Sequence, residues 1–110
     1  MADEAAEVPD GAAVFPLIPA ELGVQPLLLA VLQATVFLSG SDEEVVDADA
    51  AAEALEYTAA YLQRLTDKER QRVEEDLAVL VTYGRQEKWP KQLVQFLKSF
   101  LADFGVAESE

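Results

Sequence analysis

The sequence predicts an all-α protein: a single domain like a four-helix bundle, with an extended, proline-containing arm at its N-terminal side. Three observations support this class. The 110 residues are enough for one domain but too few for two. About half of them, 51%, are apolar, so a packed interior is expected. Apolar residues recur with a helical period between capping signals, and no segment shows the two-residue alternation of a strand.

The two ends of the chain are predicted to be tails. Residues 1–13 are small and acidic and are interrupted by Pro9 and Gly11, which indicates a disordered acidic tail. Residues 106–110 are predicted as a second, short acidic tail. The helical domain is therefore expected over residues 14–105.

The arm and the first helix follow the N-terminal tail. Residues 14–25 are apolar but are punctuated by Pro16, Pro19 and Gly23. This pattern predicts an extended or one-turn arm that lies on the core. The first helix is predicted from Pro26 to about Ser39, because proline suits a first helical turn and Gly40 provides a stop.

The second helix has two possible starts. Ser41-Asp-Glu-Glu44 has the spacing of a capping box, and Asp47 is an alternative N-cap. The helix is therefore expected to begin between residues 42 and 48 and to reach about Leu65.

Two further helices complete the domain. Thr66-Asp-Lys-Glu69 is another capping box and opens the third helix, which is predicted to reach Tyr83 or Glu87. The fourth helix is predicted from Pro90 to about Phe104, with Gly105 as its C-terminal stop.

Composition and charge exclude several classes of function. The chain has no cysteine and no histidine, which removes disulfides, thiolate nucleophiles, imidazole bases and every metal site that needs those ligands. Acids outnumber bases 21 to 8, a formal charge of −13, and residues 1–63 contain twelve acids and no base. A field of this sign repels phosphate, so we expect no binding to nucleic acid or to anionic membranes. No cofactor is predicted.

The sequence also predicts a cytoplasmic protein. Met-Ala-Asp-Glu at the start lacks the positive charge of a signal peptide. The longest apolar run, Pro26 to Leu38, is shorter than the roughly 20 residues that a membrane helix needs.

Helices one and two carry more apolar surface than one core requires. Apolar side chains surround helix one, which predicts that it is buried on all sides. On helix two, Tyr57 and Tyr61 lie beyond the core stripe. Either the arm covers this surplus, or a second copy or another protein does. Trp89, the only tryptophan, is interpreted as an anchor between helices three and four or as an interface residue.

Carboxylates offer the main enzymatic alternative. Glu53-x-x-Glu56 on helix two and Glu74-Glu75-Asp76 on helix three resemble the layout of MazG-type pyrophosphohydrolases, which have ExxE on one helix and ExxD on the next. That resemblance implies Mg²⁺ held between two helices. The second half departs from the pattern, because Val73 stands three residues before Asp76 in place of Glu.

The basic residues are interpreted as structural. Lys68 and Arg72 share a face of helix three with Glu75 and Asp76, which predicts ion pairs one turn apart. Arg85 and Lys88 lie near the C-terminal end of helix three, where positive charge is favourable, and Lys91 and Lys98 flank helix four.

The lead hypothesis is therefore a non-enzymatic, acidic helical protein that acts through protein–protein interaction, with self-association expected. Its candidate interface residues are Tyr57, Tyr61 and Trp89. One alternative is a carboxylate-based, cation-dependent enzyme or cation sensor. Another is an acidic inhibitor, or nucleic-acid mimic, that binds a basic partner.

Overall fold

The computed structural model describes residues 10–106, and four α-helices account for most of that range. They are α1, Pro26–Gly40; α2, Ala48–Leu62; α3, Asp67–Gln86; and α4, Lys91–Asp103. Within residues 10–106, a 3-10 turn, Ala20–Leu22, precedes them and no strand is present. The predicted all-α class with four helices is confirmed. Most of the two predicted tails, residues 1–9 and 107–110, lies outside the described residues.

The second of the two predicted starts is the one that α2 uses. Asp47 is its N-cap, and the Asp47 carboxylate accepts a hydrogen bond from a backbone N–H of the first turn at 2.8 Å. The alternative box at Ser41–Glu44 opens no helix, and Ser41 is the C-cap of α1. The helix ends at Leu62, earlier than predicted. Beyond it, the Gln63 side chain donates a hydrogen bond to the Phe104 carbonyl at 2.9 Å, which ties the end of α2 to the end of α4.

The capping signals of α3 and α4 behave as predicted. The Thr66 hydroxyl accepts the Glu69 N–H at 3.1 Å, and the Glu69 carboxylate accepts the Thr66 N–H at 2.9 Å, which completes the capping box. Gly105 follows α4 with φ +74°, a left-handed conformation that favours glycine and ends the helix.

The helices pack in two pairs, α1 with α2 and α3 with α4. One apolar core joins the two pairs. The largest fully buried side chains come from the arm, α1, α3 and α4; they are Phe15, Leu32, Leu80, Leu97 and Phe100. Among the described residues, α2 contributes only Leu62 to the edge of this core. Helix α2 is therefore the peripheral helix, and most of its surface faces outwards.

The arm lies on the core and is fixed there by hydrogen bonds. The Gln33 side chain of α1 accepts the Phe15 N–H and donates to the Phe15 carbonyl, both at 2.8 Å. Nearer the domain edge, the Ser41 hydroxyl accepts the Ala13 N–H at 2.9 Å. The Gly11 carbonyl also accepts the Asp42 N–H, at 2.8 Å. The chain is thus attached to the domain from Gly11 onwards.

Within residues 10–106, no helix combines the length and the apolar character that crossing a bilayer requires.

Candidate functional site

Helix α1 buries one stripe and exposes the opposite side, although its apolar circumference predicted burial all round. Its buried residues are Leu28, Leu32 and Thr35, which are spaced one turn apart. On the other side, Leu27 is 80% exposed and Phe37 is 38% exposed. The prediction was wrong for the single chain, because α2, the arm and the core all lie against one side of α1.

The polar groups of α1 are used inside the domain, and the exposed side lacks charge. The helix contains no acidic or basic residue. Gln33 binds the arm, Thr35 is buried, and the Ser39 hydroxyl donates to the Thr35 carbonyl at 2.7 Å. Ordinary surface helices have the reverse arrangement, with polar side chains in water.

Four exposed residues form a straight line along α1, which we name the α1 seam: Leu27, Ala30, Ala34 and Phe37. Their spacing of three, four and three residues is that of the a and d positions in a coiled coil. Two large side chains therefore lie at the ends of the seam, and two methyl groups lie in its middle.

An apolar groove opens beside the N-terminal end of the seam. Its volume is about 310 Å³, and it lies between the start of α1, the end of α2 and the start of α3. Its apolar lining consists of Leu27, Leu28, Val31, Leu62, Leu65, Val73 and Phe100. Because a cavity of about 150 Å³ can hold a benzene ring, this groove has room for an aromatic side chain.

Both predicted tyrosines are on the surface of α2. Tyr57 is 63% exposed and Tyr61 is 66% exposed. The Arg64 guanidinium carbon lies 5.0 Å from the centre of the Tyr61 ring, which indicates a cation–π contact. The arm therefore does not cover these residues, and their role as contacts stays a prediction.

Trp89 has the geometry of an anchor. Its ring meets Phe15 of the arm at 5.7 Å and Tyr83 of α3 at 5.6 Å, edge to face in each case. It also lies so close to Gly84 that a Cβ at position 84 would collide with the ring. Trp89 thus joins the α3–α4 turn to the arm, and its interface role stays a prediction.

The carboxylates of the metal alternative do not come together. Within residues 10–106 there is no group of three or more Asp or Glu side chains arranged to hold a metal ion. Glu53 and Glu56 are exposed on α2. The Glu74 carboxylate lies 3.5 Å from the Arg70 guanidinium, which pairs it within α3.

Asp76 has a structural role that the sequence showed only in part. It is 5% exposed, and its carboxylate accepts hydrogen bonds from Arg72 at 3.0 and 3.1 Å, the ion pair predicted one turn apart. It also accepts the Gln25 N–H at 3.1 Å, while Arg72 donates to the Gly23 carbonyl at 2.9 Å. The pair therefore clamps the junction between the arm and α1, which sequence periodicity cannot reveal.

Sequence reasoning also missed a group of basic residues that the fold gathers at the α3–α4 turn. Arg85, Lys88, Lys91 and Lys98 line one pocket there, although they were interpreted separately as helix-end and flanking residues. The sequence did contain a signal for this group: four of the eight basic residues fall within residues 85–98.

Comparison of the chain with models of protein families, with curated proteins and with solved structures gives no match.

Proposed function

We propose that the protein functions through protein–protein contact and that a second copy of the chain is the partner of the α1 seam. The observation that carries this proposal is the seam itself: an uncharged helix exposes Leu27, Ala30, Ala34 and Phe37 in a coiled-coil spacing. Large apolar side chains left in water are costly, since burying one contributes about 1.5–3 kcal/mol.

The order of residues along the seam favours a second copy over an unrelated partner. When two α1 helices pair antiparallel about a twofold axis at position 32, Leu27 faces Phe37 of the other copy, and Ala30 faces Ala34. The alanines allow the backbones to approach closely in the middle. The Phe37 ring of each copy then meets the mouth of the 310 Å³ groove beside Leu27. One surface is thus complementary to itself.

Charge explains why the contact would be made through α1. Two chains of net charge −13 repel each other. Because α1 carries no ionisable side chain, pairing α1 with α1 places no like charges directly opposite each other. The remaining repulsion acts over longer distances and is screened by salt. Self-association should therefore strengthen as salt is added, whereas docking to a basic partner would weaken.

Solution mass tests this proposal. Light scattering is measured from about 1 µM to about 1 mM, since a short seam favours micromolar dissociation. It is repeated in about 0.05 M and about 0.5 M NaCl, where screening differs strongly. We expect a monomer–dimer equilibrium that moves towards the dimer in the higher salt. A monomer under every condition would exclude the second copy as the partner.

Two variants locate the contact. Ala34→Glu places a charge in the centre of the seam and should abolish the dimer. Ala102→Glu makes the same change at an exposed alanine of α4 and should leave the dimer intact. If both variants dimerise like the parent chain, the dimer uses another surface. Circular dichroism of both variants checks that the helices are retained.

A further inference from the structure

A basic pocket lies at the turn between α3 and α4, and no residue of α1 lines it. Its volume is about 440 Å³, within the usual range for small-molecule sites. Its lining residues are Arg85, Lys88, Trp89, Lys91, Val94, Gln95 and Lys98. Half of the eight basic residues of the chain are therefore in one lining, and no acidic residue shares it.

These four basic residues differ from Arg70 and Arg72 of α3, although Lys68 of α3, which was predicted to pair, is also absent from the ion pairs of the described residues. In the part of the chain that the structure describes, the ion pairs are made by Arg70 and Arg72, with carboxylates one turn away. The four side chains of the pocket take part in none of them. Arg85 and Lys98 also line a neighbouring pocket with Glu74, but the Glu74 carboxylate lies 3.5 Å from the Arg70 guanidinium. In a chain with 21 acids, a lining with four cations and no carboxylate indicates a site that receives its negative charge from a ligand.

Two of the four residues are placed against local preference. Lys88 has φ +60° immediately after the C-cap of α3, a left-handed position where glycine is usual. Lys91 is the first residue of α4, where the positive end of the helix dipole disfavours a cation. Residues that violate local rules and converge on one pocket are typical of functional sites.

The start of α4 adds to the positive potential of the pocket. Its N-cap, Pro90, provides no side-chain hydrogen bond, and the first turn contains no acidic residue. The Leu93 N–H donates to the Pro90 carbonyl at 3.0 Å, so among the described residues the Lys91 and Gln92 N–H groups are the ones without a capping partner at this end of the helix. Lys91 and Lys98 line the pocket from the same helix. Such N–H groups bind anions together with nearby cationic side chains.

We propose that this pocket binds a compact organic anion that carries two or more phosphate or carboxylate groups. Arg85 matches either group with its planar pair of donors, and the three lysines supply point charges around it. The strongly acidic remainder of the chain favours a compact ligand, because an extended polyanion would leave the pocket and meet like charge. Apolar Val94 and the Trp89 ring line the pocket beside the cations.

Trp89 provides a direct readout, because it is the only tryptophan and lines the pocket. Its fluorescence is titrated with tripolyphosphate and, separately, with citrate, which distinguishes phosphate from carboxylate recognition. NaCl at the same ionic strength corrects for screening. We expect a saturable change with at least one of the two anions, and binding that weakens as NaCl is added.

Charge-matched variants test whether the pocket is responsible. Lys98→Gln should weaken binding by about tenfold or more, because a hydrogen bond between charged groups is lost. Lys68→Gln removes an equal charge from an exposed site outside the pocket and should change the affinity less than twofold. Equal weakening by both variants would show general charge attraction and would overturn the site.

Two other outcomes also overturn the proposal. One is the absence of any saturable change with both anions. The other is tighter binding of a hexaglutamate peptide than of tripolyphosphate and citrate, which would show that the pocket receives an extended acidic partner. Neither result depends on the dimer, because Ala34→Glu protein can be titrated in the same way.

Discussion

Helices α1 and α4 are both rich in apolar residues, yet they use them in opposite ways. Helix α4 separates its residues by face, with Leu97, Phe100 and Leu101 buried and Lys98 exposed on another side. Helix α1 has no charged residue, and apolar side chains occupy both its buried and its exposed sides. Apolar content alone therefore does not measure burial within one chain. A helix with polar side chains on one face and apolar side chains on the other is covered by its own domain on the apolar face only. A helix without a polar face gives no such indication of which side is covered.

Truncating one phenylalanine on each helix should give the largest difference. Phe100→Ala removes a fully buried ring from the centre of the core and should lower the free energy of unfolding by about 3–5 kcal/mol. Phe37→Ala removes a ring that is outside the core cluster and 38% exposed, so it should cost the monomer less, about 1–2 kcal/mol. Urea unfolding at low micromolar protein measures both.

The same pair should reverse in a dimerisation assay. Phe37→Ala should weaken self-association at high concentration, since its ring lies at the end of the α1 seam. If Phe37→Ala destabilises the dilute monomer as much as Phe100→Ala does, the exposed side of α1 is part of the core. The contrast between the two helices would then be wrong.

Asp76→Ala should have the next largest effect. It removes a buried acceptor and leaves the Gln25 N–H and the Arg72 guanidinium without their partner at the junction of arm and α1. Hydrogen bonds that involve a charged group contribute about 1.5–3 kcal/mol, so we expect a loss of about 2–3 kcal/mol. Glu75→Ala, at the exposed neighbouring position, should stay within about 0.5 kcal/mol. Equal effects of the two variants would show that the Asp76–Arg72 pair does not stabilise the junction between the arm and α1.

Local signals allowed much of the fold to be predicted from the sequence. The capping box at Thr66, the N-cap at Asp47 and the stop at Gly105 are read within one turn of chain, and each has its expected role. The surplus of apolar surface on α1 and α2 was also predicted, from the number and positions of their apolar residues. The exposure of Tyr57 and Tyr61 agrees with that surplus.

Features that depend on distant parts of the chain could not be predicted. Gln33 is a polar residue within the apolar run Pro26 to Leu38, and its role depends on the arm, which places the Phe15 backbone beside it. The side of α1 that remains exposed depends on which neighbours pack on it. The basic pocket requires the end of α3 and the first turns of α4 to meet, a tertiary fact that helical periodicity does not contain.

The smallest expected change in the free energy of unfolding concerns Lys88, in the turn before α4. Glycine adopts φ +60° without the steric cost that a side chain meets, so Lys88→Gly should raise the free energy of unfolding by about 1 kcal/mol. The same change removes one cation from the pocket and should weaken tripolyphosphate binding several-fold. Denaturant unfolding and Trp89 fluorescence measure the two effects in one protein. A gain in stability together with a loss of binding would show that lysine is kept there for its charge. A gain in stability with unchanged binding would leave Lys88 outside the anion site, and the pocket would then depend on Arg85, Lys91 and Lys98.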